Sequence, residues 1–194
     1  MSSAPYRAET IHGYPLDEVV SALQKSIRRS RVDEALWWAT EMNVSGYGGY
    51  CWRRLAVIVS EDIGIADHFA PVMVHALYAM GLELHKAEPG PAAEKATREW
   101  NAETLLHAVW YLARAKKNRE LADAYSTITL RMERGERIEV PDYARDNHTA
   151  RGRSIGRREG YFQSVGRLVD PEVQVDGNPW GKAFQLERPR ERDE

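Results

Sequence analysis

Cysteine is nearly absent from this 194-residue chain. Cys51 stands alone, which excludes an intrachain disulfide framework, fits a reducing cytosol, and sets the expected location as cytoplasmic. Between Tyr50 and Trp52 it reads as a buried, inert thiol. No run of about 18 apolar residues occurs, so no membrane-spanning helix is expected. The opening Met1-Ser2-Ser3-Ala4-Pro5 lacks the apolar core of a signal peptide. Charge of one sign is lacking as well. Lys and Arg number 27 against 29 Asp and Glu, a net charge of −2, which leaves no whole-chain signature for nucleic acid or membrane. Alternating strand patterns are scarce until after Pro141, and there is no internal repeat.

Helical periodicity is what the chain has instead. Residues 1–14 read as an irregular arm, and Pro15 sits where a helix tolerates it best, at the first helical position. Leu16, Val19, Val20, Leu23 and Ile27 form the apolar stripe of that helix, and Lys25, Arg28, Arg29 and Arg31 make its end basic. A second helix is predicted near Asp33 to Asn43, with Leu36, Trp37, Ala39 and Thr40 facing inward. Two adjacent tryptophans point about 100° apart on a helix, so one of Trp37 and Trp38 can fill the core while the other covers a partner surface. Gly46, Gly48 and Gly49 mark a loop. It lacks the Gly-Lys-Ser/Thr ending of a phosphate loop, and no strand precedes it.

The central helix follows. Trp52, Leu55, Ala56, Val59 and Ile63 keep the spacing of a buried face, Gly64 suits the position after a helix end, and Asp67 can cap the next helix. Glu61 and Asp62 are misplaced by local rules, because carboxylates in a last turn face the negative end of the helix dipole. A cation from elsewhere is therefore expected to lock them. Arg53, Arg54 or a basic residue of the fifth helix are the candidates. A fourth helix to about Lys86 carries Val72, Val74, His75, Leu77, Tyr78, Leu82 and His85 as its large positions. Glu88-Pro89-Gly90-Pro91 breaks it. A fifth runs from about Ala92 to Lys116 and a sixth from about Glu120 to Arg134, ending at Gly135. The fold class is all-α, an irregular helical bundle. Its expected divisions are an arm at 1–14, a helical core at 15–140 and an Arg-rich, irregular extension at 141–194.

Catalytic constellations are not recognisable. No nucleophile elbow, Cys-His pair or P-loop occurs, and no cofactor is expected. His75 and His85 lie about 15 Å apart along one helix and cannot share an ion, although Glu103 and His107 have the i, i+4 spacing of ligands. An all-α metal hydrolase using His75, Glu103 or His107 is thus a minor alternative, and the primary expectation is no metal. From 145 to 167, six arginines (Arg145, Arg151, Arg153, Arg157, Arg158 and Arg167) face only Asp146 and Glu159, with Tyr161 and Phe162 among them. Arginine grips phosphate bidentately and aromatic rings stack on bases, so Arg145, Arg151, Arg153, Arg157, Arg158, Tyr161 and Arg167 are candidates for contact with DNA or an acidic partner.

Four segments together carry a resemblance. Ser21-Ala22-Leu23-Gln24-Lys25-Ser26-Ile27-Arg28 precedes Asp33-Glu34-Ala35-Leu36-Trp37-Trp38. Then come Ser60-Glu61-Asp62-Ile63-Gly64-Ile65-Ala66-Asp67 and Ala108-Val109-Trp110-Tyr111-Leu112-Ala113-Arg114-Ala115-Lys116-Lys117-Asn118. Their order and spacing resemble the C-terminal helical region of the RarA/MgsA AAA+ ATPases, relatives of the Werner-helicase-interacting protein. That resemblance implies a clamp-loader-collar-like module that forms tetramers beside a motor acting in DNA replication and repair. No motor motif is present, so ATPase activity is not carried over. The implied function is a non-enzymatic, homo-oligomerising module with Trp37 and Trp38 as interface anchors and DNA as a possible partner. The alternative is a regulator that binds a separate RarA-like AAA+ ATPase or another replication protein.

Overall fold

The computed structural model describes residues 8–86 and 100–170. The proline break at 88–91 and the start of the predicted fifth helix lie outside the described residues. The helices are α1 (Leu16–Arg28), α2 (Val32–Met42), α3 (Gly48–Ile58), α4 (Ala70–Lys86), α5 (Ala102–Arg114), α6 (Glu120–Glu133) and the short α7 (Ala150–Ser154). Among the described residues the only β pairing is an isolated bridge between Glu9 and Pro15. The protein is all-α. It falls into two compact units, Met1–Gly135 and Glu136–Glu194.

In the first unit, α5 packs against α1, α2 and α4. Leu105, Ala108, Val109, Leu112 and Ala113 of α5 are buried, and the small alanines let the neighbouring backbones come close. Asn101 caps α5, its side chain accepting the Thr104 N–H at 3.0 Å. The α1 stripe is as predicted at Val19, Val20, Leu23 and Ile27, while Pro15 caps the helix rather than opening it.

The inner face of α2 differs from expectation. Ala35, Ala39 and Met42 are buried, whereas Thr40 is exposed and Trp37 is 62% exposed. The rotation follows from the tight α1–α2 approach, which favours alanine over indole at the contact. Trp38 is partly buried and meets the Tyr14 ring edge-on at 5.6 Å. It thereby helps hold the arm before α1, which is also fixed by Ile11 N–H to Ser45 Oγ and His12 Nδ1 to Glu41 Oε2. On α4, Val74 and Leu77 are buried but Val72 and His75 are exposed.

The glycine run has a packing role. α3 begins at Gly48, and a Cβ there would lie 2.8 Å from Trp100 Cδ1. Trp100 stacks between Tyr78 and His85, both at 5.3 Å, and Asn43 pairs with its backbone N–H and C=O. The central helix also ends differently from a plain C-cap. α3 widens into a π turn over Val59–Ile63, and a 3₁₀ turn (Gly64–Ala66) follows. Gly64 has φ 54° and ψ −133°, and a Cβ on it would stand 2.6 Å from the Asn118 carbonyl oxygen. Both the backbone conformation and the close approach demand glycine. Gly64→Ala is expected to cost at least about 2 kcal/mol of unfolding free energy, read from urea titration.

Candidate functional site

The π turn after α3 carries a dense cluster of charged and amide side chains. Widening the last turn directs Glu61 and Asp62 toward α1 and toward the segment before α6. Asp62 is wholly buried. Its Oδ1 accepts from Arg28 Nε at 2.6 Å and from Arg119 Nη1 at 2.9 Å, and its Oδ2 accepts from Gln24 Nε2 at 2.8 Å. Glu61 accepts from Arg119 at 3.1 Å, Gln24 at 3.1 Å and Arg28 at 3.3 Å. The Asp62 carbonyl takes the Asn118 N–H at 2.9 Å, so backbone as well as side chains join the two regions.

A cation from another element does meet each acid, but the partners are Arg28 and Arg119. Arg54 reaches the cluster at one remove, through the Gln24 side-chain oxygen. Arg53 instead lies over the Tyr50 ring at 5.5 Å. Phase explains the difference: Arg53 and Arg54 precede the carboxylates on the same helical run, whereas α1 packs directly against it. The signal for Arg28 and Arg119 was the basic end of α1 and the cation just after the Lys-Lys-Asn break. It could be found only by knowing which helices touch.

Electrostatics follow from these contacts. Hydrogen bonds from Arg119, supported by Gln24, hold the Glu61 carboxyl below its ordinary value of 4.5 against burial and the Asp62 charge. The same carboxylates raise Arg119. Burial lowers Lys117, against the attraction of Asp62. Burial pushes the Cys51 thiol up to about 12, which makes it unreactive as a nucleophile near neutral pH.

The arginine segment lies in the second unit, and four of its seven candidate side chains are engaged there. Arg157 donates to the Asp142 and Arg145 carbonyls at 2.7 and 2.9 Å, pairs with the Asp142 carboxylate at 2.5 Å, and lies 4.0 Å over the Tyr161 ring. The Tyr161 hydroxyl donates to Asp142. Arg153 donates to the Asn147 carbonyl and Arg167 to Gln163. Among the described residues, Arg151 and Arg158 are exposed and make no such contact, and the half-buried Arg145 donates no side-chain hydrogen bond. Hydrogen bonds from Arg157 hold the Asp142 carboxyl below its ordinary value, and those from His148 do the same for Asp146.

Metal ligation finds no geometric support among the described residues, which contain no group of three or more His, Cys, Asp or Glu side chains able to hold an ion. His75, Glu103 and His107 are all exposed. No described helix is long and apolar enough to cross a membrane.

Two outcomes are expected for the acid cluster. Asp62→Ala strands two guanidiniums and should destabilise the protein by about 3 kcal/mol, the low end for a broken buried pair because both arginines keep some contact with water. Glu61 has a folded-state value below 4.5, so its contribution is complete above pH 4.5 and is lost as pH falls through the folded value. Glu61→Gln should therefore flatten the stability-versus-pH curve below about pH 4.5, measured by urea titration at several pH values.

No family model matches the chain. An AAA domain-containing protein of Mycobacterium tuberculosis is 34% identical over 168 residues, which is 82% of this chain and 34% of that protein. Replication-associated recombination protein A of Escherichia coli K12 is 29% identical over 145 residues, 74% of this chain and 30% of that protein. The ATPase WRNIP1 of Dictyostelium discoideum is 28% identical over 159 residues, 81% of this chain and 17% of that protein. The chain spans about a third or less of the length of these relatives. With its helical fold, the chain is a homologue, over part of their length, of the RarA-like family that includes replication-associated recombination protein A and WRNIP1.

Proposed function

We propose that this chain is a non-enzymatic helical assembly module that associates with itself in DNA replication or recombination. The observation that carries the self-association is the exposed apolar face of α6, whose Leu121 and Tyr125 border an open groove beside Ala56 and Val57 of α3. Leu121, Tyr125, Ile128 and Met132 are all exposed, and no residue of α6 is buried. Their spacing of four, three and four is the alternation of a two-helix seam, which buries its side chains only against a partner helix. A second copy supplies the matching seam by symmetry. Exposed Trp37 is a further anchor, whereas Trp38 is committed to Tyr14 within the chain. The resemblance suggests a tetramer.

Replication and recombination appear in the names of the relatives, and that context supports DNA as a partner. In the second unit, DNA contact would fall to Arg145, Arg151 and Arg158. Arg153, Arg157, Tyr161 and Arg167 instead hold the unit together.

Sedimentation at micromolar concentration should give a mass above the 22.1 kDa of one chain. The Leu121→Lys/Ile128→Lys double variant should return to one chain's mass with unchanged far-UV circular dichroism. A wild-type monomer at all concentrations removes self-association, and capture of an AAA-type ATPase by that monomer would favour the regulator reading. In the second unit, Arg151→Ala with Arg158→Ala should weaken salt-sensitive DNA binding without loss of structure, whereas Arg157→Ala should loosen the unit and speed its proteolysis.

A further inference from the structure

We infer that the α1–α3 face of the helical core carries a phosphate-binding cleft for a nucleic-acid backbone. The cleft has a volume of about 330 Å³, and Ser21, Lys25 and Arg28 of α1 and Tyr50 and Arg54 of α3 line it with Gln24 beneath. Three cations converge there, and their charges are not equally matched. Arg28 is satisfied by Glu61 and Asp62. Among the described residues Lys25 reaches only the neutral Ser21 hydroxyl, at 2.5 Å. Among the described residues Arg54 reaches only the Gln24 side-chain oxygen, and its Nε is shielded from water with no hydrogen-bond partner. Neither Lys25 nor Arg54 pairs with a carboxylate among the described residues. Asp17 also lines the cleft.

Gln24 explains why Arg54 is held there. Its amide nitrogen donates to both Glu61 and Asp62, which turns its oxygen toward Arg54. The acid cluster thus orients a guanidinium whose own charge it does not neutralise. A phosphate suits what remains, since its oxygens accept from the outer guanidinium nitrogens of Arg54, the lysine ammonium and the Ser21 and Tyr50 hydroxyls together. A polymer fits better than an isolated ion, because Arg53 extends the cationic face beyond the cleft, over the partly exposed Tyr50 ring. Which polymer supplies the phosphate rests on the replication reading above. The cleft itself does not depend on self-association.

Fluorescence anisotropy with a labelled single-stranded DNA at low salt tests the inference, using full-length wild type, Lys25→Gln, Lys25→Gln/Arg54→Gln and the conservative Lys25→Arg. The double variant is expected to bind at least about tenfold more weakly and to lower the slope of log affinity against log salt by about two, while Lys25→Arg retains binding. Lys25→Gln alone, which leaves the acid cluster untouched, should lower the slope by about one. Sedimentation of the same proteins should be unchanged, so failure here is separable from failure of the assembly reading. DNA binding that is absent in wild type, or unaltered in the cleft variants, overturns the inference. Inorganic phosphate or nucleotide binding lost in those variants, with DNA binding intact, also overturns it and assigns the cleft to a small ligand.

Discussion

A carboxylate removed from water must find its donors inside the protein, and Asp62 finds them on two other parts of the chain. Arg28 and Gln24 come from α1, and Arg119 comes from the turn that opens α6. The acid itself sits where α3 widens into a π turn. Each of these elements could pack apolar surface in several registers, because hydrophobic burial has little direction. The ion cluster has direction. It sets the height of α1 against α3 and fixes where the chain re-enters after α5. Gly64 belongs to the same junction, since the Asn118 backbone that bonds to Asp62 also closes on its Cα.

This constraint accounts for a sequence feature that local rules disfavour. Two acids at a helix end lose interaction with the helix dipole, by about 0.3–1 kcal/mol each. The loss is tolerable once each acid meets two guanidiniums and an amide. The widened turn reduces it further, since the acids no longer close a regular α-helix. The stretch Ser60-Glu61-Asp62-Ile63-Gly64 is therefore a junction, and its residues depend on one another.

Much of the fold was legible from periodicity. α1 and α6 fall where their apolar spacing puts them, and Gly64 ends up at a helix boundary for a physical reason that applies to any chain; the fifth helix, expected through Trp100 and Asn101, instead starts at Ala102 with Asn101 as its cap. The phase of α2 was not legible, because the choice between Ala35 and Trp37 as the inward residue depends on how closely α1 approaches. The role of Gly48 was hidden for the same reason, since Trp100 lies far away in sequence. Pairing suffered most. A count of arginines in 145–167 cannot distinguish a guanidinium that fastens Asp142 from one that faces solvent, and Arg157 and Arg151 look alike until the turns around them are drawn. The cations of α1 had seemed an ordinary basic helix end, yet Arg28 holds the core while Lys25 lines a cleft.

The central claim is that Asp62 and its two arginines act as a cooperative junction. A double-mutant cycle on Asp62→Asn and Arg119→Gln, read by urea denaturation, tests it most directly. The account gives a coupling energy of at least about 1.5 kcal/mol, since either change alone strands a partner around a buried carboxylate. A coupling below about 0.3 kcal/mol, the range of independent sites, would contradict it.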